Sequence, residues 1–258
     1  MQIYEHHMKY CPSTVPDGSG WDKPTTTNTY DDATDLHAAW GLMIHAAEGC
    51  NASSSSFIFD LVDVGREFLS LQPCLAALQR LSTVKTLPEL AAANASMHTL
   101  LTDLDLLLAT SDGFLLGTWL SSARALAATA DHPEHSDFLE WNARAQVTSW
   151  EPVSGAGCRG GATKLSGLYD YANKEWSGLV NRFHRERYRI YADHRRTALA
   201  SGHKFDKSAY QGDLMEQACQ FQRSGLGDVG PVRPVGDAIA ISKMLWQKYH
   251  PKNNDSLQ

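Results

Sequence analysis

Carboxylates are the most numerous groups in this chain that could do chemistry, with Asp60, Asp63, Glu140, Glu151, Asp170 and Glu175 all near apolar or aromatic residues. Two such acids cleave an acetal only when held about 5 to 9.5 Å apart across the bond. Spacing along the sequence does not pair them, so caps, ion-pair partners and supporting groups are the expected roles. Nucleophile signatures are missing: there is no GxSxG, and no cysteine carries a histidine-bearing motif around it. His6, His7 and His45, or the pair His132-x-x-His135, offer imidazole nitrogens for a metal. No carboxylate or thiolate set is seen to complete either group, so solvated histidines are expected, with no metal and no cofactor.

GAGCRG, residues 155–160, matches the GxGxxG spacing that lets a backbone approach a pyrophosphate. No β-branched strand precedes it, Pro152 lies just upstream, and no helix opens directly after it. A surface loop is the expected outcome. The run RFHRERYRI with the following HRR, within 182–196, is basic, yet Glu186 and Asp193 interrupt it. It reads as a solvated helix face with i,i+4 pairs, and not as a phosphate-binding surface. The five cysteines, Cys11, Cys50, Cys74, Cys158 and Cys219, show no metal spacing and suggest buried or free thiols. Three sequons, at Asn51, Asn94 and Asn254, are glycosylation candidates that stand against a cytosolic home and leave the compartment open.

These groups must be positioned by helices. In 258 residues, 43% apolar and 20% charged, one substantial core or two modest ones can be buried, and wholesale disorder is not expected. The net charge of -6 is uneven, with 6 Lys/Arg against 14 Asp/Glu in residues 1–130 and 17 against 15 beyond. That balance recruits neither nucleic acid nor an anionic membrane. No apolar run reaches the roughly 20 residues of a membrane span, and the first residues lack a signal peptide's apolar stretch. Residues 11–30 collect Pro, Gly, Ser and Thr without a period, so 1–30 are expected to be a loop or disordered leader, and 251–258 a tail.

Between them apolar residues recur at three and four. Asp31 or Asp32 is placed to cap a first helix that Gly49 stops in the left-handed conformation. A second spans 57–81 with a kink at Pro73, and Thr86 with Pro88 opens a third reaching Ala109. Ser111 or Asp112 caps a fourth over 114–128, and a fifth covers 134–150. One long helix is expected over 170–201, then two more near 206–223 and 235–249. No alternating strand pattern or internal repeat appears, so the fold class is all-α, an irregular bundle of about eight helices.

One segment is specific. LYDYANKEWSGL, 168–179, resembles the α-N-acetylglucosaminidase glycoside hydrolases (family 89), in which a D-Y-A-N-K run leads into a W-S/A-G-L helix. NARAQVTSW (142–150), HKFDKSAY (203–210), FDLVDVGRE (59–67) and FLLGTWL (114–120) are similar to further segments of the same C-terminal helical domain, in order. The resemblance implies that residues 31–250 form that domain. It implies a parent enzyme in which a (β/α)₈ barrel carries both catalytic glutamates and releases terminal α-linked N-acetylglucosamine with retention, with the helical domain lining one side of the pocket.

On that likeness Trp150, Leu168 and Tyr171 are substrate-binding, Asp170 and Asn173 hold the loop, and Arg66 is a buried ion-pair partner of Asp63 or of another helix's carboxylate. The implied partners are terminal α-N-acetylglucosamine of a glycan or glycosaminoglycan and the barrel, and the parent enzyme would be secreted or lysosomal. Lacking the barrel, the chain by itself is expected to be inactive. The alternative is a stand-alone helical module that binds a glycan or protein. Where the family has a short glycine-containing turn, SGAGCRGGATKL intervenes here.

Overall fold

The computed structural model describes residues 33–50, 54–129, 132–149, 174–223 and 225–250. Among these the chain is all-α, with eight α-helices and no strand: α1 Ala33–Cys50, α2 Ser55–Thr83, α3 Leu87–Leu108, α4 Leu116–Thr129, α5 Ser136–Gln146, α6 Arg185–Ser201, α7 Lys207–Arg223 and α8 Ala238–Lys248. The expected Asp31/Asp32 cap lies outside the described residues.

Helix α3 organises the bundle. Its start is fixed by a capping box in which Glu89 N–H donates to Thr86 Oγ1 (3.4 Å) and Thr86 N–H donates to Glu89 Oε2 (3.1 Å), with Pro88 in the first turn. Leu90, Ala93, Met97, Leu100, Leu101, Leu104, Leu107 and Leu108 are buried at helical spacing. So broad an apolar stripe needs several neighbours, and α3 packs against α2, α6 and α8. Trp40 of α1 and Phe68 of α2 fill the large core beside it. A smaller core, Leu116, Leu120, Ala143, Val147, Leu179, Phe183 and Ala218, joins the α4–α5 pair to α7. Trp176 packs on both cores. Helix α8 closes onto α1: Trp246 Nε1 donates to the His37 carbonyl and His37 Nε2 meets the Trp246 carbonyl, each at 2.9 Å, with the two rings stacked 4.9 Å apart.

Several local expectations change. Gly49 does not adopt a left-handed conformation and stays within α1, which runs to Cys50. Helix α2 starts earlier than expected, because Ser54 caps it by accepting from Phe57 N–H, and it runs through Pro73 to Thr83. Neither Ser111 nor Asp112 caps α4; a 3₁₀ turn, Asp112–Phe114, intervenes before Leu116. Helix α5 ends at Gln146, and residues 147–149 form a turn.

The largest departure is in the expected long helix over 170–201. Residues 174–178 are not helical, and the helix begins only at Leu179, its first turn widened to a π-turn over Val180–His184. The cause is local competition for backbone groups. Ser177 N–H donates to the Phe114 carbonyl (2.8 Å) and Leu116 N–H to the Ser177 carbonyl (3.1 Å), making a parallel bridge to Leu115. Gly178 follows at φ +88°, a conformation that glycine adopts without strain. Asp105 of α3 then caps the new helix, accepting from Gly178 N–H at 2.7 Å and Asn181 N–H at 3.2 Å.

Close packing at Gly65 provides a test of the large core. A Cβ there would lie 2.5 Å from Trp40 Cζ2 and 2.9 Å from Leu107 Cδ2. The Gly65→Ala variant should therefore unfold at lower urea, by about 1–3 kcal/mol of overpacking, less the helix gain of up to about 1 kcal/mol that alanine brings. A midpoint equal to or above the parent's would show that Trp40 yields freely.

Candidate functional site

The non-helical strap 174–178 is held mainly by charge. Glu175 is buried (3% exposed) and its Oε2 accepts from Arg66 Nη1 at 2.9 Å and from Ser70 Oγ at 3.0 Å, both on α2. Arg66 turns its Nε and Nη2 to Asp63 Oδ1, at 2.8 and 2.7 Å. One guanidinium thus serves a carboxylate on its own helix and one on the strap. Burial works against the Arg66 charge, but Glu175 and Asp63 outweigh it and raise its pKa. Burial pushes the Glu175 carboxyl up, and Arg66 is the main opposing influence. Asp105 behaves similarly: burial raises its pKa, opposed by the N–H groups of Gly178 and Asn181.

His184, fully buried in the π-turn, donates from Nε2 to the Lys174 carbonyl at 2.9 Å. Burial, helped by the Arg187 charge, pushes its pKa down to about 3, so the ring is neutral at any ordinary pH. Trp176 stands 6.0 Å from Trp119, whose Nε1 donates to the Ala143 carbonyl at 3.0 Å.

The other flank is equally fixed. Gln222 of α7, fully buried, donates from Nε2 to Ser149 Oγ (2.6 Å) and Thr148 Oγ1 (3.2 Å). Arg144 pairs with Glu140 Oε1 through Nη2 (2.6 Å) and Nε (2.9 Å) and donates to the carbonyls of Phe221, Gly225 and Asp228. Glu140 Oε2 accepts from Arg124 (2.7 Å) and Gly227 N–H (2.8 Å). Burial would raise the Glu140 pKa, but Gly227 N–H, Arg144 and Arg124 together lower it.

The structure therefore fixes the two chain ends between which five of the sequence-derived site residues fall. Trp150, Leu168, Asp170, Tyr171 and Asn173 lie outside the described residues, as do Asn51 and Asn254. Val147 and Leu179, next to the two ends, share the smaller core. Arg66 and Asp63 are paired as above, and Asn94 is half-buried on α3. Sequence reasoning did not find Asp105, His184 or Gln222. It also gave Glu175 no partner, since the apolar spacing around these residues reads as continuous helix. The thiol expectation is corrected as well: Cys74 and Cys219 are disulfide-bonded and buried. No described helix is long and apolar enough to cross a membrane.

Comparison with known proteins bears directly on this geometry. Residues 1–248 match the family described as alpha-N-acetylglucosaminidase (NAGLU) C-terminal domain. The chain is 32% identical over 236 residues to Homo sapiens alpha-N-acetylglucosaminidase, covering 88% of this chain and 28% of that protein. It also superposes on a family 89 glycoside hydrolase from Clostridium perfringens. In complex with its substrate GlcNAc-alpha-1,4-galactose, that enzyme matches at TM-score 0.71 and 18% identity, over 89% of this chain and 25% of that one. In complex with PUGNAc it matches at TM-score 0.69 and 18% identity, over 88% and 25%. The chain thus spans little more than a quarter of the length of the relatives it matches.

Two stability measurements test the flanks. The Arg66→Met variant leaves Glu175 buried without its cation and should lose about 3–5 kcal/mol at pH 7.5. Glu175 then has a folded pKa above its unfolded value, so folding takes up a proton and stability is regained as pH falls through the folded pKa. The deficit should shrink at pH 5, and adding Glu175→Gln should recover part of it at pH 7.5; a deficit that is independent of pH refutes the assignment. His184 carries the opposite sign. Its folded pKa lies below the unfolded value of about 6.5, so its contribution is intact above that pH and fades on acidification, by about 2 kcal/mol between pH 6.5 and 5. Urea midpoints of parent and His184→Gln should converge over that range, and parallel curves would show that the histidine is solvated.

Proposed function

Because the chain belongs to the alpha-N-acetylglucosaminidase C-terminal domain family, we propose that it forms one wall of a pocket for terminal α-linked N-acetylglucosamine. In this reading the reacting carboxylates stand on a catalytic (β/α)₈ barrel that these 258 residues do not include. Trp150, Leu168 and Tyr171 supply the wall, and Asp170 and Asn173 hold its loop. An indole covers the apolar C–H face of a pyranose, an aliphatic chain closes beside it, and a phenol gives one oriented hydrogen bond plus bulk that admits only a terminal sugar.

The observation that carries the proposal is the fixing of both flanks of 150–173. Ser149 is tied to Gln222, Lys174 to His184, and Glu175 to Arg66. A wall that must meet a sugar to within about 0.5 Å needs that kind of support from rigid elements. The substrate class is favoured by the Clostridium perfringens enzyme of the same fold, whose bound substrate ends in GlcNAc-alpha. Disulfide-bonded Cys74 and Cys219 favour a secreted or lysosomal setting, since such bonds persist in oxidising compartments.

The purified chain should release no chromophore from an aryl α-N-acetylglucosaminide, and turnover that co-purifies with it would defeat the division of labour. Fused to the preceding portion of the human relative, the chain should support turnover. In that fusion Trp150→Ala and Tyr171→Phe should each raise KM about tenfold or more, near 1.4 kcal/mol of binding. Unchanged KM and kcat in both variants would remove these residues from the wall.

A further inference from the structure

The connection between α4 and α5 gathers three metal-ligating side chains that play no part in the wall. Glu134 and His135 lie on a 3₁₀ turn, Pro133–His135, and His132 immediately precedes it; their donor atoms all fall within 4.8 Å of one another. The sequence reading looked for a completing carboxylate and found none, but Glu134 stands between the two histidines and supplies it. The reason is the turn's geometry. A 3₁₀ helix has three residues per turn, so side chains at i and i+3 eclipse. The rings of His132 and His135 accordingly stack, 5.1 Å apart and 15° from parallel.

The backbone holds this arrangement. His132 N–H donates to the Ala127 carbonyl and His135 N–H to the His132 carbonyl, each at 2.9 Å. Ser136 Oγ donates to the Pro133 carbonyl, and proline fixes its own φ at the first position of the turn. With the main chain set, both imidazoles address one carboxylate oxygen: Glu134 Oε1 is 3.0 Å from His132 Nδ1 and 3.8 Å from His135 Nε2.

The geometry points to a surface site for a divalent transition-metal ion of the zinc type, bound by His132 Nδ1, His135 Nε2 and a Glu134 carboxylate oxygen. Tetrahedral zinc has ligand bonds of about 2.0–2.2 Å, which sets donor atoms about 3.3 Å apart. The two observed separations bracket that value, so small side-chain rotations admit the ion. Two imidazoles with one carboxylate suit zinc, nickel or copper, and do not suit calcium or magnesium, which favour all-oxygen shells. Three protein ligands leave a fourth position for water or for a donor from another molecule. All three residues are exposed, so the ion is exchangeable.

Titration of the metal-free chain with Zn²⁺, followed by calorimetry, tests the assignment, and Co²⁺ absorption reports the ligand field. One saturable site is expected, accompanied by a rise in melting temperature. His132→Ala and His135→Ala should each weaken it about tenfold or more, whereas a His6→Ala/His7→Ala variant keeps it. Because the three ligands are solvent-exposed, their substitution leaves the cores intact, and circular dichroism verifies that. No saturable Zn²⁺ uptake, or uptake indifferent to His132 and His135, would overturn the site and leave the wall proposal untouched.

Discussion

The pairing of Arg66 with Glu175 is the contact on which the arrangement of this domain turns. A carboxylate on a stretch that is not helical is buried between helices, and the cation that neutralises it belongs to α2, 109 residues earlier in the chain. Exchanging such a pair for apolar groups is often neutral or stabilising, yet removing one partner strands a charge in a dry interior. The pair therefore selects a conformation more than it adds stability. It holds residues 174–178 away from a helical path, and that choice decides where the next helix opens at Leu179, how Asp105 caps it and where His184 enters the core.

The strap and the α5 exit are two halves of one device. Trp176 packs on both cores, so the strap cannot shift without disturbing each of them. On the other side the Glu140–Arg144 pair reaches the carbonyls of Phe221, Gly225 and Asp228, tying the end of α7 to α5. Apolar packing tolerates small displacements of its members. Directional hydrogen bonds to buried charges tolerate far fewer, which is why polar networks appear where the ends of 150–173 must be located and apolar stripes suffice elsewhere.

Much of the bundle was legible because its causes are local. The Thr86–Pro88 start and the apolar stripe of α3 follow from spacing alone, and so do the basic and acidic residues that alternate along α6. What was not legible has causes distant in sequence. Nothing near Lys174–Gly178 announces that Phe114 and Leu116 will claim its backbone groups, and the apolar periodicity of Trp176, Leu179 and Val180 continues as if a helix were there. Gly49 offered a stop signal that the end of α1 does not use. At the site, the paired state of Arg66 was suggested by resemblance, while Glu175, Gln222 and His184 owe their roles to contacts more than 70 or, for His184, exactly ten residues away, where no local pattern exists.

The same contacts commit the buried acids among the described residues to structure. A general acid or nucleophile needs a carboxyl free to exchange a proton or to reach a substrate atom. Glu140 has both oxygens engaged by Arg124, Arg144 and the Gly227 N–H, and Asp105 is spent on the start of the helix that opens at Leu179 and leads into α6. Glu175 faces a guanidinium and a serine hydroxyl in a site closed to solvent. Each of these buried acids would have to abandon a structural partner before it could react, and the cost would fall on the segments that locate the wall. In the proposed arrangement, carboxylates that do the bond-breaking are better placed on a scaffold whose fold does not depend on their charge, with this domain fixing the proposed wall.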